Sequence, residues 1–250
     1  MLQKDRQPRQ IILNFPVRPE YAFSNFVVSQ SSRFAFEAAR DICSGKPVDY
    51  NALYISGDKG LGKTHLLLSI GNFVAGNFPG KSALYVQCGD FVGKIRENDD
   101  SAVAETLGKL ADVDYFLMDD IDQISGQPEA QEKLYFIYNA LMDKRKKIVF
   151  AGRRGPSQLA ATESFLKSRF QWGLTAELKP IDETTLAEIM KKLGADLGLE
   201  IPAKISTYLL NRIPRDFHSI KNAVAAINRE SLVQKKKVTV PLVKAALDLS

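Results

Sequence analysis

Cysteine is scarce in this chain. Cys43 and Cys88 are the only two in 250 residues. Two thiols so far apart make neither a disulfide framework nor a cysteine metal site. No apolar run reaches about 18 residues, the length of a membrane-spanning helix. The start, Met1-Leu2-Gln3-Lys4-Asp5-Arg6, lacks the apolar core of a signal peptide. No segment repeats. A cytoplasmic protein without membrane contact is the expectation. What is present is ordinary for a globular chain: 45% hydrophobic, 25% charged, with a net charge of +5. That balance permits contact with nucleic acid or an acidic partner without demanding it. The length allows one large domain or two small ones.

Against this background one octet stands out. Gly57-Asp58-Lys59-Gly60-Leu61-Gly62-Lys63-Thr64 spells G-x-x-x-x-G-K-[ST]. The apolar run Ala52-Leu53-Tyr54-Ile55 reads as the buried strand that feeds it, and His65 to Ile70 as the helix that leaves it. Strand, loop and helix in this order form a phosphate-binding P-loop. Glycines let consecutive N–H groups turn toward a polyphosphate, and the helix N-terminus adds partial positive charge. Lys63 would reach the β and γ phosphates of ADP or ATP, and the Thr64 hydroxyl would ligate Mg²⁺.

About sixty residues on, Tyr115-Phe116-Leu117-Met118-Asp119-Asp120-Ile121 is apolar until two carboxylates close it. Unbroken apolar character fits a central parallel strand covered on both faces. Acids at its C-terminal end fall on the ligand-binding edge of such a sheet. Asp119 is the expected Walker B residue, holding Mg²⁺. Asp120 is placed to orient or deprotonate the attacking water.

Strand signals recur at 52–56, 83–87, 114–119, 148–152 and 175–178, alternating with helical stretches. After Pro180-Ile181-Asp182 the pattern turns helical. Leu186, Ile189, Met190, Leu193 and Leu197 mark one helix, with Asp182 as its N-cap. Ile205, Leu209 and Leu210 mark a second. Phe217, Ile220, Val224 and Ile227 mark a third, and Leu242 to Leu249 a fourth. Lys237-Val238-Thr239-Val240 is the only strand signal there. The expected fold is α/β: an AAA+ P-loop NTPase with a parallel sheet flanked by helices, plus a small C-terminal helical lid. The expected division is a flexible N-terminal tail at 1–20, a nucleotide-binding subdomain at 21–178 and a lid at 179–250.

Several motifs go beyond generic AAA+. Gly60-Leu61-Gly62-Lys63-Thr64-His65-Leu66-Leu67, Tyr21-Ala22-Phe23-Ser24-Asn25-Phe26-Val27-Val28 and Leu166-Lys167-Ser168-Arg169-Phe170-Gln171-Trp172-Gly173-Leu174 resemble the DnaA/Hda family of replication-initiation proteins. The resemblance implies that Phe23, Phe26 and Val27 fold over the adenine, with Gly57, Gly60, Leu61, Gly62, Lys63, Thr64 and His65 around the phosphates. It implies that Arg169 is an arginine finger acting on the nucleotide of a neighbouring subunit. The short architecture resembles the Hda branch, which promotes ATP hydrolysis on DnaA. Gln10-Ile11-Ile12-Leu13-Asn14-Phe15 resembles that branch's sliding-clamp motif, with Gln10, Leu13 and Phe15 as anchors. The implied partners are DnaA, the clamp and, through the AAA+ interface, a second copy. The alternative is a DnaA-type adaptor or loader that binds DNA or another replication protein and catalyses nothing.

Two positions depart from the family. In Val149-Phe150-Ala151-Gly152-Arg153-Arg154, Arg153 stands where the resemblance implies an aspartate. In the lid, His218 stands where an arginine should reach the phosphates, and Arg215, one turn earlier, is the alternative cation. Tight binding with weak intrinsic ATPase follows. Trp172 reads as core or interface packing. The basic runs Lys144-Arg145-Lys146-Lys147 and Lys235-Lys236-Lys237 read as solvated loops more readily than as DNA contacts.

Overall fold

The computed structural model describes residues 19–96, 108, 113–180, 182–215 and 217–248. The chain divides into two compact units, one holding residues 19–28 and 32–178, the other 29–31 and 179–248.

The first unit is a five-stranded parallel sheet: β1 Ala52–Gly57, β2 Ala83–Gln87, β3 Tyr115–Asp119, β4 Lys147–Gly152 and β5 Leu174–Leu178. Its order is β2-β3-β4-β1-β5. β1 and β3 are buried at every residue, whereas the edge strand β5 alternates. That is the contrast between strands covered on both faces and a strand at the rim. All strands run parallel, so all their carboxyl ends share one edge. The P-loop leaves β1 and the acid pair leaves β3 on that edge.

Among the described residues, the helices that accompany the sheet are α1 Arg33–Cys43, α2 Lys63–Asn77, α3 Cys88–Arg96, α4 Pro128–Asp143 and α5 Ser164–Gln171. Leu66, Leu67, Ile70 and Val74 bury one side of α2. On the other sheet face, Tyr54, Phe116 and Phe150 meet Tyr138 of α4 and Phe170 of α5 in one apolar cluster. Phe150 is its hub, 4.7 Å from the Phe170 ring centroid and 6.3 Å from both Phe116 and Tyr138. Truncating such a residue costs about 3–5 kcal/mol.

The second unit is helical: α6 Glu183–Asp196, α7 Ala203–Leu210, α8 Phe217–Gln234 and α9 Val240–Leu247. Asp182 caps α6 as its position suggests, accepting the Thr185 N–H at 2.8 Å. Leu186, Ile189, Met190, Ile205, Leu209, Ile220, Val224, Ile227, Leu242 and Val243 form its core. The apolar stretch at 237–240 is not a strand. Thr239 caps α9 there, because its hydroxyl satisfies the Leu242 N–H and Pro241 suits the first turn.

The basic run at 144–147 is partly consumed by the fold. Lys146 pairs with Asp114 at 2.9 Å, and Lys147 donates to Asn51 Oδ1 at 2.7 Å. No helix among the described residues is long and apolar enough to cross a membrane.

Candidate functional site

The P-loop bends through residues that carry positive φ: Gly57 at 149°, Gly60 at 85° and Gly62 at 98°. Two of these glycines are also sterically required. A Cβ on Gly57 would lie 2.4 Å from the Leu178 carbonyl, and one on Gly62 would lie 2.7 Å from the Phe26 ring. Gly62 caps α2, so the helix begins with Lys63 and Thr64 and its unpaired N–H groups open on the loop. Leu61 is buried beneath the loop.

Lys63 is only 6% exposed. Its Nζ donates to the Gly57 carbonyl at 2.6 Å and to the Asp58 carbonyl at 2.8 Å. Burial pulls its pKa below the ordinary lysine range, and the Arg153 cation pulls the same way; Asp119, Asp120 and Asp122 oppose them. Arg153 therefore sits within the electrostatic reach of the P-loop.

Asp119 is 1% exposed and carries three donors. Thr64 Oγ1 donates to its Oδ2 at 2.6 Å, Tyr85 donates to the same oxygen at 3.0 Å, and the Asp120 N–H donates to Oδ1 at 2.9 Å. Burial raises the pKa of this carboxyl, and these hydrogen bonds counter the rise. The Thr64 proton is spent on Asp119, which leaves the hydroxyl lone pairs to face a cation. These are hard oxygen donors of the kind Mg²⁺ takes. Among the described residues no group of three or more His, Cys, Asp or Glu could hold a metal by itself. A cation here would need phosphate and water oxygens as well.

Asp120 adopts left-handed backbone, φ 51° and ψ 43°. Only a few per cent of non-glycine residues do so, aspartate among those that tolerate it best. The turn is braced by Asp122, whose carboxylate accepts the N–H groups of Arg153 at 2.6 Å and Arg154 at 3.0 Å. The end of β4 is thus clamped to the segment that follows β3.

The segment before α1 lies on the first turns of α2. His65 Nε2 donates to the Ala22 carbonyl at 3.0 Å, and Asn72 donates to the Tyr21 carbonyl at 2.8 Å. Phe26 stacks on Phe36 at 5.6 Å and meets His65 edge-on at 5.4 Å. Phe23 packs against Phe36 and Phe73. Val27 follows, half-buried.

Arg169 stands apart from this edge. Its Nε donates to Asn139 Oδ1 at 2.8 Å and its Nη2 to the Tyr135 hydroxyl at 3.3 Å. The guanidinium lies 4.5 Å from the Trp172 ring centroid and 5.3 Å from that of Tyr135. None of these partners belongs to the P-loop or β3. Trp172 is 72% exposed and Phe136 58%, with Phe165 beside them. Trp172 is therefore not a core residue. Its helix is held from below by Leu166 and Phe170, and its start by the buried Gln131. Gln131 donates to the Ile124 and Ala161 carbonyls at 3.0 and 2.9 Å and accepts the Glu163 N–H at 2.8 Å.

The remaining expected residues lie elsewhere. Arg215 belongs to the helical unit, where it pairs with Glu183 at 2.6 Å and donates to the Leu210 carbonyl at 3.2 Å. His218 falls in the first turn of α8. Gln10, Leu13 and Phe15 lie outside the described residues. Tyr85, Asp122 and Gln131 are contributors that sequence reasoning missed. The run at 83–87 reads as a strand, but nothing in sequence placed Tyr85 on Asp119.

Comparison with known proteins now decides the family. Residues 17–177 match the bacterial DnaA ATPase domain, and residues 174–247 match the Hda lid domain. The chain belongs to the DnaA/Hda family of AAA+ proteins. Domain III of the Thermotoga maritima replication initiation protein DnaA is 32% identical, with a TM-score of 0.84 over 93% of this chain and 98% of that one. AMPPCP-bound DnaA from Aquifex aeolicus is 28% identical, with a TM-score of 0.78 over 88% and 70%. A replication initiator DnaA bound to AMPPCP and single-stranded DNA is 29% identical, with a TM-score of 0.79 over 88% and 69%. This DnaA/Hda chain thus has a nucleotide-binding AAA+ fold with a C-terminal helical lid.

Proposed function

We propose that this protein is an Hda-type regulator of bacterial replication initiation. It binds ADP or ATP with Mg²⁺, docks on the sliding clamp through Gln10, Leu13 and Phe15, and stimulates ATP hydrolysis on DnaA in the cytoplasm. Lys63 and the loop amides hold the phosphates. Thr64 and Asp119 hold the cation, Asp120 orients water, Leu61 and His65 lie with the loop around the phosphates, and Phe23, Phe26 and Val27 flank the base side. Arg215 and His218 are the lid's contribution. With Arg153 in place of an acid and His218 in place of an arginine, the protein's own turnover is slow.

One observation carries this reading. Arg169 is presented on an exposed aromatic face, hydrogen-bonded and stacked so that its guanidinium is already oriented. Its partners all lie outside the chain's own phosphate loop. A cation so placed serves the nucleotide of an adjoining AAA+ subunit, DnaA or a second copy, where it neutralises charge developing on the γ-phosphate. Such fingers are worth about 10³–10⁵ in rate.

The alternative is an adaptor that binds DNA. It draws on the single-stranded DNA in the related DnaA complex. The engagement of Lys146 and Lys147 inside the fold speaks against it. Single-turnover hydrolysis of DnaA-bound ATP, with this protein and DNA-loaded clamp added, separates the two. Acceleration that requires both supports the regulator; an unchanged rate with retained DNA binding supports the adaptor.

A further inference from the structure

A polar chain outside both sequence motifs ends on the β3 carboxylate. The β2–β3 register sets Gln87 beside Asp119 and Tyr85 beside Leu117. The Tyr85 hydroxyl donates to Asp119 Oδ2 at 3.0 Å and in turn accepts from Gln87 Nε2. The Gln87 amide occupies the oxygen side of that hydroxyl, so its proton is directed at Asp119. Thr64 reaches the same oxygen at 2.6 Å. The Asp120 N–H restrains the other oxygen at 2.9 Å. The carboxylate is thereby held from three sides, and the Tyr85 arm comes from the neighbouring strand β2.

Resting on the nucleotide-site reading, we infer that Tyr85, backed by Gln87, is a positioning residue for the divalent cation of this site. It holds the Asp119 carboxylate at the rotation where Thr64 Oγ1 and Asp119 face one cation together. Without the tyrosine hydroxyl, Asp119 loses one of three restraints, and a hydroxyl–carboxylate pair that must meet one ion is aligned less tightly. In the proposed site the phosphates are held by Lys63 and the loop amides, whereas the Tyr85 hydroxyl is directed at Asp119. The role therefore affects the cation and spares cation-free nucleotide binding. Groups that orient a metal ligand in this way typically change metal affinity by about 10–100-fold.

The test uses the full chain and a fluorescent ADP analogue, titrated in EDTA and then with Mg²⁺ at fixed nucleotide. Tyr85→Phe is expected to raise the Mg²⁺ midpoint about tenfold while leaving the EDTA affinity unchanged. Gln87→Leu is expected to shift the midpoint the same way by less, about threefold. An unchanged midpoint in Tyr85→Phe overturns the inference. So does an equal loss in EDTA, which marks a structural role only. If Tyr85→Phe does not fold, Gln87→Leu carries the test, and an unchanged midpoint there is equally fatal. Failure of the wild type to bind the analogue at all removes the nucleotide site itself, a result visible before any variant is compared.

Discussion

Two regions of the first unit invite comparison: the edge where β1 and β3 end, and the face around Arg169. At the edge, polar groups answer one another inside one chain. Lys63 holds loop carbonyls, Thr64 and Tyr85 hold Asp119, and Asp122 holds two amides. Lys63 and Asp119 at its centre are buried. Around Arg169 the cation is likewise oriented, but by groups that leave Phe136 and Trp172 largely in solvent. A sheltered cluster of donors and acids suits a small charged ligand. An oriented arginine ringed by exposed aromatic rings suits a protein surface, since such residues dominate interface energetics. The two regions share a fold and are built for different occupants.

Loss of the phosphate lysine should separate them most sharply. Lys63→Ala is expected to abolish nucleotide binding, and with it the stabilisation that saturating ADP confers, about 3 kcal/mol at 100 times Kd. Calorimetry and thermal melts with and without ADP check this; wild-type-like ADP affinity would contradict the site.

Gln131 links the regions physically. Gln131→Leu removes three hydrogen bonds and takes the partner from the Glu163 N–H, while the Gly126 and Gln127 N–H groups still reach the Ala161 and Ile124 carbonyls; it should cost about 3 kcal/mol of stability by denaturant titration. A change below about 0.5 kcal/mol would mean that the α5 start is held by other means.

The proposed clamp motif belongs to neither region. Leu13→Ala with Phe15→Ala should weaken clamp binding about 100-fold, as loss of two buried apolar anchors implies, without altering melting temperature or ADP affinity. Surface plasmon resonance on immobilised clamp reads it, and retained affinity would refute the docking motif.

Trp172→Ala should weaken productive association with DnaA about tenfold while sparing ADP binding, because its ring lies over Arg169 and is otherwise exposed. Loss of ADP binding in that variant would dissolve the distinction between the regions. Arg153→Asp with His218→Arg should raise intrinsic hydrolysis or ATP affinity severalfold, a smaller effect confined to the nucleotide edge. Turnover by the unmodified protein at the pace of AAA+ motors would show that other residues fill the sensor roles.

The legible parts of this molecule are those written in local pattern. The P-loop, the apolar run ending in Asp119 and the Asp182 cap each lie within a few residues, and the structure forms the corresponding strand, helix and cap there. The parallel sheet was legible in the buried apolar strands, but its order β2-β3-β4-β1-β5 was not. Tyr85 on Asp119, Asp122 on the β4 turn and Gln131 beneath α5 were not legible. Each joins residues about thirty positions apart, and no period or spacing encodes a single long-range hydrogen bond. The stretch at 237–240 shows the opposite failure: β-branched residues suggested a strand, while a threonine cap and a following proline made a helix start.

The central claim is that Arg169 acts on another chain's nucleotide while the P-loop serves this chain's own. The most direct measurement is single-turnover hydrolysis of DnaA-bound ATP in the presence of loaded clamp, with wild-type protein or Arg169→Ala, alongside each protein's own ADP affinity. The account predicts about a 10³-fold loss of stimulation with ADP affinity unchanged. Equal hydrolysis rates for the two proteins would contradict it.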